Sequence, residues 1–361
     1  MSINSRILDK WWFRAFIAFC LFFLWQFLYA VSKLHGLEEE KLTLEAKVET
    51  LNRKSDELRH DIFRREQEVA RLTRKSEQIS LLVRDRVGLI PSGRQDDPVI
   101  YFITPTSFRA AQKADMTRLS QTLSHVPKLH WIVVEDALSQ NSAIHEILKN
   151  SQLPFTYIVA ATPPEKKMKY ADPNWYLPRG VTQRNAALAW LRNQLPTARK
   201  GVVYFGDDDN TYDLRLFQEM RKVKKAGVWP VGIVGGLFVE TPLLYANGTI
   251  SGFNAIWKPE RPFPIDMAAF AVNLTLVLEH PDAEFSFDVP RGYQESTFLE
   301  KLDIDRVKME TLAESCTKVY VWHTRTEKSV LSKAMVKRLQ DRSDLTSLEK
   351  ESLGVGVMSE P

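Results

Sequence analysis

Val202-Val203-Tyr204-Phe205-Gly206-Asp207-Asp208-Asp209 is the stretch on which the reading of this chain turns. An apolar run this short and β-rich predicts a buried strand, and Gly206 lets the backbone turn sharply where it stops. Three adjacent carboxylates repel one another and lose hydration at a core edge, so a bound cation or cationic ligand is their natural remedy. Hard oxygen donors on a turn suit Mg²⁺ or Mn²⁺, which share their coordination with substrate phosphates. The alternative is a solvated acidic turn ahead of a helix, with Asn210 or Asp213 as N-cap.

Outward from that strand, residues 99–103, 129–134 and 155–159 read as further strands. Residues 110–123, 181–195 and 214–225 read as helices. Strands alternating with helices predict a mostly parallel α/β sheet. The second half, with apolar runs at 231–234, 252–253 and 270–278, reads as mixed, and past Arg325 the pattern decays into a charged, frayed tail.

Ahead of the domain, Gly88 and Pro91-Ser92-Gly93 close a long helix, and Asp96-Asp97-Pro98 opens the first strand. Residues 11–31 are apolar and aromatic apart from Arg14 and Gln26, about the length that spans a bilayer. Arg6, Lys10 and Arg14 precede Glu38-Glu39-Glu40, which leaves the short N-terminus cytosolic and sends the rest across. A signal peptide cleaved near Ala30-Val31-Ser32 is the alternative. Leu37, Leu44, Leu51, Leu58, Leu72 and Ile79 share one heptad position, and Val48, Ile62, Val69 and Val83 the partner position. Arg65, Lys41, Ser55 and Ser76 interrupt them; a parallel two-stranded coiled coil is expected, a lone solvated helix being the other reading. The expected division is a cytosolic tail (1–10), a transmembrane anchor (11–32), a stem (33–96), a catalytic domain (97–335) and a charged tail (336–361).

Composition bounds the function. With 361 residues, 44% hydrophobic and 26% charged, the chain can bury a sizeable core. A net charge of +4 without an aromatic-interleaved basic stripe argues against nucleic acid. Cys20 and Cys316 stand far apart and offer neither a disulfide framework nor a zinc site.

Open parallel sheets bind ligands beyond the carboxyl ends of their strands. Thr104-Pro105-Thr106, Glu135-Asp136 and the aspartate triplet are all expected on that rim, which is the layout of a nucleotide pocket. Arg179 and Arg184, at the start of a helix, can hold anions, and no glycine-rich phosphate loop is present. A metal and basic side chains must then neutralise the phosphates. Trp257, Arg261 and Asp266 lie in one proline-rich loop suited to a sugar ring, or are a surface loop pinned by packing. Glu295 enters a helix, and His323 and Arg325, two apart, can both reach a diphosphate.

These segments resemble the metazoan β-1,3-glucuronosyltransferases of glycosyltransferase family 43. The carriers are Thr104-Pro105-Thr106, Leu129-His130-Trp131 with Val134-Glu135-Asp136, and Pro178-Arg179-Gly180-Val181 with Gln183-Arg184-Asn185. The strand with its aspartates, Trp229-Pro230-Val231-Gly232, Arg261-Pro262-Phe263-Pro264 and Val321-Trp322-His323-Thr324-Arg325-Thr326-Glu327-Lys328 complete the set. The resemblance implies a single-pass type II Golgi membrane enzyme with a GT-A-type domain, dimeric, using UDP-glucuronic acid and Mn²⁺. It implies inverting transfer of glucuronate to the 3-hydroxyl of a terminal galactose. The family pattern puts the donor against Pro105, Thr106, Ser107, Asp136, Arg179, Arg184, Asp207, Asp208, Asp209, His323, Thr324 and Arg325. Asp209 would be the direct Mn²⁺ ligand, Glu295 the base, and Glu240, Trp257, Arg261 and Asp266 would face the acceptor.

One departure stands out: the family usually has a uracil-stacking tyrosine where this chain has Ser107, with Phe108 beside it. A glycan-binding or scaffolding subunit with a weakened donor site is the reading this favours instead. A metal-dependent phosphohydrolase would use the same aspartates but leaves the Trp257 loop unexplained. The family's stem cysteine also has no counterpart, so a dimer would rest on the heptads and catalytic domains. Asn247 and Asn273 begin glycosylation sequons, of which Asn247 is the expected acceptor.

Overall fold

A computed structural model describes residues 4–87, 97–168, 176–196, 199–327, 329–342 and 344–355, without the side chains of 4–13, 39, 74 and 76–87. The expected turn at Gly88 and Pro91-Ser92-Gly93, Asp96 and Lys328 lie outside the described residues. So do the side chains of Arg6, Lys10, Glu39, Ser76, Ile79 and Val83. The chain divides into two units, Met1–Leu89 and Ile90–Pro361.

The first unit is one helix, α1 (Asn4–Val87), unbroken at Ala30-Val31-Ser32. By length and composition it includes a stretch able to cross a membrane. Leu37, Leu44, Leu51, Leu58 and Leu72 lie exposed along it, so one chain alone does not cover the heptad leucines.

The second unit begins with β1 (Val99–Thr106), α2 (Gln112–Leu123), β2 (Leu129–Glu135), α3 (Ser142–Asn150) and β3 (Phe155–Val159). Next come α4 (Val181–Gln194), β4 (Gly201–Phe205), β5 (Thr211–Tyr212), α5 (Leu214–Met220), β6 (Ala226–Val228) and β7 (Val231–Val234). Then β8 (Leu237–Leu244), β9 (Ile250–Asn254), β10 (Phe270–Asn273), α6 (Leu274–Glu279), α7 (Gln294–Lys301) and β11 (Met309–Thr311) follow. The left-handed turn α8 (Leu312–Cys316), β12 (Val321–Trp322), α9 (Lys333–Asp341) and α10 (Ser347–Leu353) complete the order.

Seven strands form the main sheet in the order β11-β6-β10-β4-β1-β2-β3. Its strands run parallel except β10, which pairs antiparallel with both β4 and β6. That is the mixed, mostly parallel sheet expected from sequence. Register sets the rim: Thr106 lies opposite Glu135, and Ile103 opposite Phe205. The ends of β1, β2 and β4 therefore deliver Thr106, Asp136 and the triplet to one edge.

Aromatic packing fixes that edge. Phe205 meets Phe285 and Phe298 edge-on, with ring centroids at 5.1 and 5.4 Å, and Phe285 stacks on Phe298 at 4.7 Å. Such pairs add about 0.5–1.5 kcal/mol each beyond burial. Since Phe298 belongs to α7, the helix bearing Glu295 is locked to the strand bearing the aspartates. A smaller sheet, β5-β12-β7-β8-β9, ties the residues after the triplet to Trp322 and thence to His323.

Several local expectations change. Gly206 does not take a left-handed φ; it is small because a Cβ there would overlap the buried Phe102 ring. The helix expected over 214–225 stops at Met220, since the chain must reach β6. The run over 270–278 is strand then helix, with Asn273 capping α6 through the Thr275 N–H at 2.9 Å. Of Asn210 and Asp213, the two residues expected to cap the helix after the triplet, Asp213 caps α5 by accepting from the Arg215 N–H. Asn247 sits exposed in the turn between β8 and β9 and accepts from Thr249 Oγ1 at 2.7 Å. Where charge suggested a frayed tail, α9 and α10 form, the latter with a capping box of Thr346 and Glu349. Lys113 of α2 pairs with Glu351 at 2.5 Å, and the Arg342 guanidinium lies 3.7 Å above the Phe108 ring.

Gly206→Ala is expected to destabilise the fold by about 1–3 kcal/mol, the range for overpacking a core. Urea unfolding checks this, and an unchanged midpoint would contradict a Phe102 ring packed tightly against residue 206.

Candidate active site

The triplet is compensated one residue at a time. Asp207 pairs with the buried Arg184, Nη2 to Oδ1 at 2.8 Å, and its carbonyl accepts from the Tyr212 hydroxyl at 2.7 Å. Asp208 is buried and takes a bidentate fork from Arg109, 2.8 and 2.7 Å, plus the Thr106 hydroxyl at 2.6 Å. Burial still pushes its carboxyl above the usual value, with Arg109 and Thr106 opposing the rise. Asp209 differs. Its carbonyl accepts from Thr324 Oγ1 at 2.6 Å and its carboxylate from the Thr326 N–H at 3.2 Å. No cationic side chain among the described residues pairs with it.

That inequality tests the metal expectation. No group of three metal-ligating side chains converges among the described residues. A cation here would take Asp209 from the protein and much of its remaining shell from a bound diphosphate, a habit of Mg²⁺ and Mn²⁺. The donor set fits.

Around it, Gly180 has φ +75 and precedes α4; a Cβ there would overlap Arg184, which donates Nη1 to the Arg179 carbonyl at 2.9 Å. The close approach explains the glycine and aims α4 at the triplet. Pro105 lies against Gly180, while the Arg179 and Ser107 side chains are exposed. Asp136 accepts from the Thr162 N–H at 2.8 Å and lies 3.5 Å from Lys167.

A second acidic group gathers beside the triplet. Asp266 caps a short helical turn through the Ala268 N–H and stands 3.1 Å from His323 Nδ1. Despite its burial, His323 holds the Asp266 carboxyl below its ordinary value; the histidine is correspondingly raised against its own burial. Arg325 Nε donates to His323 Nε2 at 3.1 Å. Burial raises Glu240 to about 7 and Glu295 to about 7; Asp266 adds to both, and Arg261 opposes both. Glu295 lies in the first turn of α7, 3.8 Å from Arg261. A mostly buried carboxyl poised near neutrality is what a general base requires.

The proline-rich loop is held from within. The buried Arg261 donates to the carbonyls of Gly292, Lys258 and Trp257 at 2.7, 3.2 and 3.2 Å. The Trp257 ring packs on Gly292 and is flanked by Arg261, Arg291 and Lys258 at 5.0, 5.3 and 5.6 Å from its centroid. Ser296 bonds both the N–H and the carbonyl of Phe263, fastening the loop to α7. The loop and the helix bearing Glu295 are thus tied together.

The structure brings the expected donor residues to one rim and Glu240, Asp266 and Glu295 to its flank. Sequence reading missed Arg109, Asp115, Tyr212 and Thr326. One signal existed for Asp115: with Gln112 it falls on the inward face of α2, at the spacing of Met116, Leu119 and Leu123.

A mostly parallel sheet whose rim holds an acidic triplet, clamped by arginines beside a raised glutamate, is a sugar-nucleotide transferase layout. The model of "Glycosyltransferase family 43" matches residues 119–327. The chain is 63% identical over 351 residues to galactosylgalactosylxylosylprotein 3-beta-glucuronosyltransferase sqv-8 of Caenorhabditis elegans, covering 97% of this chain and 99% of that one. It is 52% identical to galactosylgalactosylxylosylprotein 3-beta-glucuronosyltransferase I of Drosophila melanogaster, covering 68% and 82%. It is 46% identical to galactosylgalactosylxylosylprotein 3-beta-glucuronosyltransferase 3 of Homo sapiens, covering 70% and 78%. This chain belongs to glycosyltransferase family 43.

Glu240 gives a test of the electrostatics. Between about pH 4.5 and about 7 the folded protein keeps a proton on Glu240 that the unfolded chain releases, so stability falls as pH rises through that window. Glu240→Gln removes the effect, worth about 3 kcal/mol at most. Denaturant unfolding at pH 5 and pH 8 should show a smaller loss in the variant; equal losses would contradict the raised value.

Proposed function

We propose that this chain transfers glucuronate from UDP-glucuronic acid to the 3-hydroxyl of a terminal galactose, with inversion. We take its acceptor to be the proteoglycan linkage region, in line with the galactosylgalactosylxylosylprotein in its relatives' names. The observation that carries the chemistry is Glu295, a raised carboxyl on a helix locked to the aspartate strand.

In this reading Asp209 holds Mn²⁺, with Asp207 and Asp208 on the ribose side and Pro105, Thr106, Ser107 and Asp136 toward the uracil. Arg179, Arg184, His323, Thr324 and Arg325 face the diphosphate; Glu240, Asp266 and the Trp257–Arg261 loop face the acceptor. Mn²⁺, when bound, neutralises charge on the departing diphosphate. Glu295 accepts the proton of the galactose hydroxyl as its oxygen bonds C1, and the C1–O bond to phosphate breaks with its electron pair leaving on UDP. A carboxylate is too weak to deprotonate an alcohol outright, so proton transfer accompanies bond breaking. One displacement inverts C1.

The N-terminal apolar helix serves as a type II Golgi anchor, with the domain luminal and Asn247 open to glycosylation. The heptad face of α1 pairs with a second copy, giving a homodimer.

Incubation with UDP-glucuronic acid, Mn²⁺ and a galactosylgalactosylxylosyl acceptor should yield a β-1,3 product. Glu295→Gln should abolish turnover while calorimetry still detects UDP binding; a fully active variant would remove Glu295 as base. In the parent, kcat/KM should climb as pH rises through about 7, where Glu295 loses its proton. A flat profile from about pH 5.5 to about 8 would contradict that role. Absence of any UDP–Mn²⁺ heat would favour the non-catalytic subunit that Ser107 suggests.

A further inference from the structure

We infer that Asp115 and Thr326 are positioning residues for the metal carboxylate: with Arg109 they form a closed polar chain that fixes Asp208 and Asp209 relative to each other. The inference rests on the reading of Asp209 as metal ligand and goes beyond it.

The path runs through Asp208, Arg109, Asp115, Thr326 and Asp209, which come from the ends of β1, β4 and β12 and from α2. Arg109, on the loop after β1, gives its fork to Asp208 and also donates Nη2 to Asp115 Oδ2 at 2.7 Å. Asp115 lies on the inward face of α2 with 2% of its side chain exposed. Its Oδ1 accepts from Thr326 Oγ1 at 2.7 Å and from Arg118 Nη2 at 2.5 Å. The Thr326 N–H then donates to Asp209 Oδ2 at 3.2 Å, which closes the path back to the triplet.

Charge explains why the chain is built this way. A buried carboxylate is costly unless paired and fully hydrogen-bonded. Asp115 and Asp208 share Arg109, and Arg118 supplies the second cation, so two acids and two bases balance. Asp208 and Asp115 pull the Arg109 guanidinium upward against its burial, so the clamp stays charged. Among the described residues the balance leaves Asp209 without a cationic partner, held by a neutral main-chain donor that does not compete with a cation. Thr326 is set in place by its hydroxyl on Asp115. Without that bond the N–H loses its aim, and the carboxylate its preset orientation.

The experiment uses the full chain. Mn²⁺ binding is read from the loss of the free-ion paramagnetic resonance signal in the presence of UDP, and thermal unfolding is measured alongside. Thr326→Val should weaken Mn²⁺ binding about three- to tenfold, the equivalent of about 1 kcal/mol for one lost hydrogen bond. Thr326→Ser should restore it. The Mn²⁺ concentration for half-maximal transfer should rise in parallel, with kcat at saturating metal within about twofold. Asp115→Asn should act in the same direction; should that variant fail to fold, the Thr326 pair carries the test. A parent that binds while Thr326→Val binds equally well overturns the proposal, as does a lowered unfolding temperature with unchanged Mn²⁺ affinity. A parent that binds no Mn²⁺ with UDP overturns the metal reading of Asp209, and the proposal with it.

Discussion

Three carboxylates in succession at the end of a buried strand cannot share one environment. Coulomb repulsion between neighbours a few ångströms apart reaches several kcal/mol near a protein surface, and the rim of this sheet is organised to relieve it unequally. Arg184 takes Asp207 and Arg109 takes Asp208, while no cationic side chain among the described residues pairs with Asp209. Gly180 allows Arg184 to approach, and β5 with β12 brings Thr324 and Thr326 onto the third aspartate. Much of the domain around the rim answers that one constraint.

The second feature is a carboxyl that rests near neutrality next to this negative centre. Burial raises Glu295, and Asp266 raises it further while Arg261 holds it back. The cluster of Phe205, Phe285 and Phe298 makes the distance between Glu295 and the aspartates a property of the core rather than of a loop. Glu240 titrates in the same range, and Asp266 and Arg261 act on both glutamates. Two carboxyls held partly protonated near pH 7 reduce the stability of the folded state there. That is a familiar cost of a functional site.

The apolar runs of β1, β2 and β4 made the sheet legible, because their content and spacing are dictated by burial on both faces. The rim followed from parallel register. Long-range partners were not legible: nothing local says that Arg109 reaches Asp208, 99 residues away, or that Thr326 reaches Asp115, 211 residues away. Gly206 was visible as a glycine, yet its reason is the Phe102 ring, which only tertiary packing supplies. Trp257 was visible as an aromatic in a proline-rich loop, but its packing on Gly292 and its three flanking cations were not. The helices α9 and α10 escaped because their support, the Lys113–Glu351 pair and Arg342 over Phe108, comes from residues far back in the sequence.

Calorimetric titration of UDP into the parent and into Asp209→Asn, with and without Mn²⁺, addresses the central point most directly. In the parent, Mn²⁺ should strengthen UDP binding; in Asp209→Asn that gain should vanish while metal-free binding persists. An Asp209→Asn protein whose UDP affinity still rises with Mn²⁺ as the parent's does would show that the ion is held elsewhere.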